Sequence, residues 1–162
     1  TYAPLFAHVE GWQWRPDMIW FDNLHSFNTA SYYVQQLFSL NKGTHVLPLT
    51  MDKKAVTGAD DQNGLFASAV WDKQQNEVIV KVVNTSDQSQ TVNLNFDGIK
   101  KDEKLGNGKL TVFNSSDPIA ENSIDNPTLI MPVESDLQTD GNQLNSNIGP
   151  RSFYLFKLRL SK

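Results

Sequence analysis

Two different hydrophobic periods run along this chain. From Thr44 onward apolar and polar residues alternate. Val92, Leu94 and Phe96 interleave with Thr91, Asn93 and Asn95, the pattern of a half-buried strand. Val78, Val80 and Val82 form a second inward row, joined to a strand over Leu65 to Trp71 by the turn-rich Asp72-Lys73-Gln74-Gln75-Asn76. Tyr154, Phe156, Leu158 and Leu160 alternate with Leu155, Lys157 and Arg159 in a last strand. Weaker strands fit Val46 to Thr50, Lys109 to Phe113, Thr128 to Met131 and Val133 to Leu137. Strands at this spacing, with Asn, Asp, Ser and Gly turns and no helical pattern, predict an antiparallel β-sandwich over residues 44–162.

The first 43 residues read as strand, then helix. Met18-Ile19-Trp20-Phe21 is an unbroken apolar run after Pro16, as expected of a strand buried on both faces of a parallel sheet, and Asp22-Asn23 ends it. Asn28 or Thr29 then caps a helix over about 29–41, whose Ala30, Tyr33, Val34, Leu37 and Phe38 share one apolar face. Asn41-Lys42-Gly43 stops it, with Gly43 suited to the left-handed conformation. Ten of the 17 aromatic residues lie in this segment, a composition shift that places a boundary near Gly43. One βα unit cannot close a (β/α)₈ barrel, which needs on the order of 250 residues, so the segment is at most a barrel's tail.

Length and charge narrow the classes of function. At 162 residues the chain suits one domain, or one domain with a fragment of another, and it opens on Thr1, which leads us to expect a piece of something longer. A formal net charge of −4 and three unclustered arginines argue against nucleic acid as a partner. No apolar run approaches the roughly 18 residues of a membrane span, so no membrane partner is expected. With no cysteine, thiolate nucleophiles, disulfides and cysteine-bound metals are excluded.

Candidate chemistry is sparse. The glutamates are Glu10, Glu77, Glu103, Glu121 and Glu134; Glu77 and Glu103 read as solvated turn residues, and Glu10, beside Gly11 and Trp12, has the most site-like setting. His8, His25 and His45 lack the i, i+4 spacing that places two imidazoles on one helical face, and no metal or other cofactor is expected. Asp60-Asp61-Gln62-Asn63-Gly64 lacks the ligand spacing of a calcium loop and reads as a polar turn. Neither a G-x-S-x-G elbow nor a glycine-rich phosphate loop is present. Asn84-Thr85-Ser86 and Asn114-Ser115-Ser116 match the short glycosylation sequon. Trp12-Gln13-Trp14-Arg15 is the most function-like cluster: its aromatic faces either stack on sugar rings or cover the end of a barrel.

Three blocks in order carry a resemblance: Tyr2-Ala3-Pro4-Leu5-Phe6, then Trp14-Arg15-Pro16-Asp17-Met18-Ile19-Trp20-Phe21-Asp22-Asn23, then Ser31 through Gly43. Together they resemble the end of the catalytic barrel of family 51 α-L-arabinofuranosidases. Val82-Val83-Asn84 and Gly149-Pro150-Arg151-Ser152-Phe153 are similar, more loosely, to that family's C-terminal jelly roll. The resemblance implies a mainly β chain, a jelly-roll-like sandwich preceded by a strand–helix remnant of a (β/α)₈ barrel. It implies a parent enzyme that releases terminal arabinofuranose from arabinan or arabinoxylan by a retaining mechanism. Both catalytic glutamates are then expected upstream, so no catalytic residue is assigned here. Some family members place a substrate-facing glutamine just before the last barrel strand; this chain has Pro16 there, leaving Gln13 or Trp14 to substitute in the parent. The implied partners are the upstream catalytic barrel and an arabinose-containing poly- or oligosaccharide, in an extracellular or periplasmic rather than cytoplasmic setting, with an oligomer possible. Two other functions stay open: a carbohydrate-binding sandwich, whose single candidate Trp71 has the parity of an inward-facing core residue, and a structural or adhesive sandwich.

Overall fold

A computed structural model describes residues 4–15, 17–56 and 63–161. Tyr2, Ala3 and Pro16 of the blocks above, and Asp60, Asp61 and Gln62 of the polar turn, lie outside the described residues. The chain forms two compact units: Thr1–Asn41 with Ser115–Pro132, and Lys42–Asn114 with Val133–Lys162.

The first unit holds a three-stranded sheet and one helix. β1 (Phe6–His8) pairs in parallel with β2 (Ile19–Phe21), and β2 pairs antiparallel with β3 (Ser26–Asn28). Of these only β2 shows in the sequence, as an apolar run; three-residue strands are too short to show a period. The Met18–Phe21 run is not buried on both faces as expected. Met18 and Trp20 are buried on one side, while Ile19 and Phe21 are only half-buried on the other. Helix α1 (Ala30–Leu40) follows, and none of its residues is fully buried. Thr29 occupies the N-cap with extended backbone, but its hydroxyl caps nothing: it donates to the Met18 carbonyl at 3.0 Å, tying the helix start to β2.

Residues 115–132 belong to this unit too, which corrects the assignment of the whole 44–162 stretch to the sandwich. The buried Asn122 amide donates to the carbonyls of Asn28 and Ile130, each at 2.9 Å, and its oxygen accepts from the Ile130 N–H at 2.8 Å. Thr128 to Met131 is therefore no strand. Pro127 cannot donate to a ladder, and the Ile130 backbone is satisfied by a side chain instead.

The second unit is mainly β and antiparallel. Its strands are β4 (His45–Leu47), β5 (Thr50–Met51), β6 (Lys54–Ala55), β7 (Leu65–Asp72), β8 (Glu77–Asn84), β9 (Gln90–Asn95), β10 (Lys104–Asn114), β11 (Val133–Leu137), β12 (Gln143–Ile148) and β13 (Ser152–Ser161). Six make one sheet in the order β11-β10-β13-β8-β7-β4, and β9 pairs with β12 in a second layer, giving an open sandwich. Register puts Ala69 opposite Val80 and Val80 opposite Phe156, so one row of side chains crosses the central strands into the core. Leu144 and Ile148 meet that row from β12, with Val92, Leu94 and Phe96 packed against it. Asn93 and Asn95 are exposed where Leu94 is half-buried, as alternation predicts. β8 and β13 are buried on both faces: Ile79 and Leu155, one residue out of parity with Val80 and Phe156, are as inaccessible as the core row. β10 carries a register shift between Leu105 and Gly108, and a Cβ at Gly108 would stand 1.8 Å from the Lys157 carbonyl oxygen. Only glycine permits that approach.

Candidate functional site

The Trp12–Arg15 stretch lies in the loop between β1 and β2. Arg15 gathers it. The guanidinium carbon stands 5.2 Å from the Trp12 ring centre and 5.1 Å from that of Trp20, and Nη1 donates to Glu121 Oε2 at 2.8 Å. Trp12 meets Trp20 edge to face, with centroids 6.0 Å apart. Trp20 is buried by its place on β2, so the loop is fastened to the sheet through Arg15 and Trp12. Trp12 and Arg15 thus pack on Trp20, and the arginine is paired with Glu121. Gln13 and Trp14 are both exposed, Trp14 at 54%. The importance of Glu121 was not legible, because its partner lies 106 residues away in sequence.

Three of the remaining glutamates stand beside cations. Glu77 lies 3.4 Å from Lys157 and 3.6 Å from Arg159, Glu103 lies 3.7 Å from Lys100, and Glu134 shares Lys109 with Asp136 on the edge strand β11. Asp136, hydrogen-bonded to the Lys109 ammonium, pushes that amine's pKa upward, as a cation held by carboxylates should be. Glu10 is exposed, and its backbone N–H donates to His8 Nδ1 at 3.2 Å. His8 meets the Phe21 ring edge to face, His25 stands against Asp22 and His45 against Thr44. Among the described residues no group of three or more His, Asp or Glu is placed to hold a metal ion.

In the second unit the loosely similar blocks converge. Buried Asn84, the last residue of β8, donates from its amide to the Gly149 and Gln88 carbonyls at 2.8 Å, while its oxygen accepts from the N–H and hydroxyl of Ser86. Ser152 stands opposite it in register, and Arg151, at a positive φ of 44°, pairs with Asp87. The sequon at Asn84 is thus a structural knot that joins two sandwich strands.

Residues 1–152 match the sequence profile of the α-L-arabinofuranosidase C-terminal domain. The chain belongs to this family. Curated relatives of this arabinofuranosidase domain agree. It is 34% identical over 149 residues to a probable α-L-arabinofuranosidase A of Aspergillus terreus, covering 90% of this chain and 21% of the relative. It is 30% identical over 161 residues to α-L-arabinofuranosidase 1 of Arabidopsis thaliana, covering 98% and 23%. An arabinose-bound GH51 α-L-arabinofuranosidase superposes with a TM-score of 0.83 at 25% identity, over 99% of this chain and 24% of that one. The GH51 arabinofuranosidase of Xanthomonas axonopodis pv. citri shares the fold, with a TM-score of 0.67 at 20% identity over 88% and 29%. The chain therefore spans between a fifth and a third of these proteins, and it corresponds to their C-terminal, non-catalytic portion.

Proposed function

We propose that this chain packs on and stabilises the upstream catalytic barrel of an α-L-arabinofuranosidase, and that the parent removes terminal α-L-arabinofuranosyl residues from arabinan or arabinoxylan with retention. One observation carries the reading. Among the described residues, ten of the twelve large apolar side chains that stand exposed belong to the first unit. Phe6, 57% exposed, lies on the same sheet face as Ile19 and contacts Phe21 edge to face, on a parallel pair of strands whose β1 edge is open. A parallel pair with an apolar face and an open edge is what the last strands of a (β/α)₈ barrel present when their neighbours are elsewhere. Residues 1–43 are accordingly the barrel's last unit.

Retention requires two carboxyl groups about 5–5.5 Å apart in a cleft. The glutamates here are ion-paired or exposed on loops and edges, so the reacting pair belongs to the upstream portion. Exposed Gln13 and Trp14 remain as substrate contacts in the parent. Trp71 gives the carbohydrate-binding alternative no platform, because it packs against the sandwich core and beside His45.

The test is hydrolysis of an aryl α-L-arabinofuranoside by the full-length parent and by this chain. Turnover is expected from the parent alone, and Trp14→Ala in the parent is expected to raise KM more than it lowers kcat. Turnover by the isolated chain that disappears in Glu10→Gln or Glu134→Gln overturns the reading.

A further inference from the structure

β1 and β2 run parallel with His8 opposite Phe21, so both strands end at the same edge of their sheet. The register also sorts the two faces. Ala7 stands opposite Trp20, and both are buried. Phe6 and His8 stand opposite Ile19 and Phe21 on the other face, where Phe6 is exposed and His8 and Phe21 are half-buried. Helix α1 lies on the side of Met18 and Trp20. Gln35 Nε2 reaches Met18 Sδ at 3.6 Å, and Trp20 lines a cavity with Thr29, Ala30 and Ser31 at the helix start. In a (β/α)₈ barrel the helices form the outer ring, and the C-terminal ends of the strands carry the site. The face turned away from α1 is then the barrel's interior, and His8 stands on it as the last residue of β1.

The imidazole is held from three sides. The Glu10 N–H donates to its Nδ1 at 3.2 Å, and the Gly11 N–H donates to the His8 carbonyl at 3.0 Å. The Phe21 ring meets it edge to face, with centroids 5.3 Å apart. An accepting Nδ1 leaves the proton of the neutral ring on Nε2. That N–H has no acceptor among the described residues. Asp22, which follows β2 at the same edge, is engaged by its own turn through the Leu24 and His25 N–H groups. A fixed donor beside an aromatic ring is the kind of polar group that orients a ligand in a mainly apolar pocket.

We propose that His8 is a substrate-binding residue of the parent, donating from Nε2–H to a hydroxyl of the bound arabinofuranosyl unit. This contact rests on the reading that residues 1–43 are the last unit of the parent's barrel.

The experiment measures hydrolysis of an aryl α-L-arabinofuranoside, and of its 2-, 3- and 5-deoxy analogues, by the full-length parent and its His8→Asn and His8→Gln variants. Asparagine keeps an oxygen for the Glu10 N–H but carries no donor as far as Nε2, whereas glutamine brings an N–H there. His8→Asn should lower kcat/KM by about 3–10-fold, the worth of one neutral hydrogen bond. His8→Gln should stay within about twofold of wild type. On the one analogue that lacks the partner hydroxyl, His8→Asn and wild type should be equally active, which a merely structural role would not produce. An equal loss on all three analogues, or no loss from His8→Asn on the intact substrate, overturns the proposal. If His8→Asn does not accumulate, His8→Gln carries the test, and a loss beyond about threefold overturns it. Turnover by the wild-type parent judges the catalytic reading separately. Without it both fall, whereas turnover with an unaffected His8→Asn variant removes the His8 contact alone.

Discussion

The Asn122 side-chain amide donates to the Asn28 carbonyl at 2.9 Å, joining residues 94 apart in sequence within one unit. The same side chain holds Ile130 through two further bonds. Asn122→Ala leaves the Asn28 and Ile130 backbone groups without partners in a buried setting, at a cost of about 1–3 kcal/mol each for those that find no water. We expect urea unfolding to show a loss of about 2 kcal/mol or more. A loss below about 0.5 kcal/mol, the level of an ordinary surface change, would show that water replaces the side chain without penalty.

Gly108→Ala should be among the most damaging single-methyl changes in the chain. The added Cβ would stand 1.8 Å from the Lys157 carbonyl oxygen, so β10 and β13 must separate. Gly98→Ala is the control: φ is +79° there, but nothing lies within 4 Å, leaving only a backbone cost of roughly 1 kcal/mol. Equal melting temperatures for the two variants would refute the close approach.

Phe156→Ala removes a ring at 0% exposure from the middle of the core row and should cost about 3–5 kcal/mol. Asn93→Ala, exposed on β9, should stay within about 0.5 kcal/mol of wild type. Chemical denaturation of both variants checks the inward–outward register directly.

The turn between β2 and β3 should loosen in acid. Asp22 Oδ1 accepts the Leu24 N–H at 2.7 Å and the His25 N–H at 2.5 Å, and these bonds hold its carboxyl below the usual aspartate value of 3.8. A lowered folded-state pKa contributes stability that is present above the unfolded value and lost as pH falls through the folded one. NMR titration should show Asp22 protonating below an unstructured aspartate, with the Leu24 and His25 amides shifting in step. In Asp22→Asn that pH-dependent shift should vanish. An Asp22 that titrates like a free aspartate contradicts the turn geometry.

The alternation of Val78, Val80 and Val82, of Val92, Leu94 and Phe96, and of Tyr154, Phe156 and Leu158 was enough to place the sandwich core. A period of two translates directly into which face of a sheet a side chain takes. The apolar run at Met18–Phe21, the helical spacing after Thr29 and Gly43 at φ +63° were legible for the same local reason. β12 was not legible: Gln143-Leu144-Asn145-Ser146-Asn147-Ile148 offers only two apolar positions, and its strand exists because β9 supplies the ladder. Nor did any local pattern show that residues 115–132 join the first unit, that Arg15 meets Glu121, or that Asp17 is buried without a donor. Short-range sterics and periodic burial act between neighbours in sequence and leave their record there. Partnerships between single polar side chains far apart in the chain leave no period, and only the tertiary structure decides them.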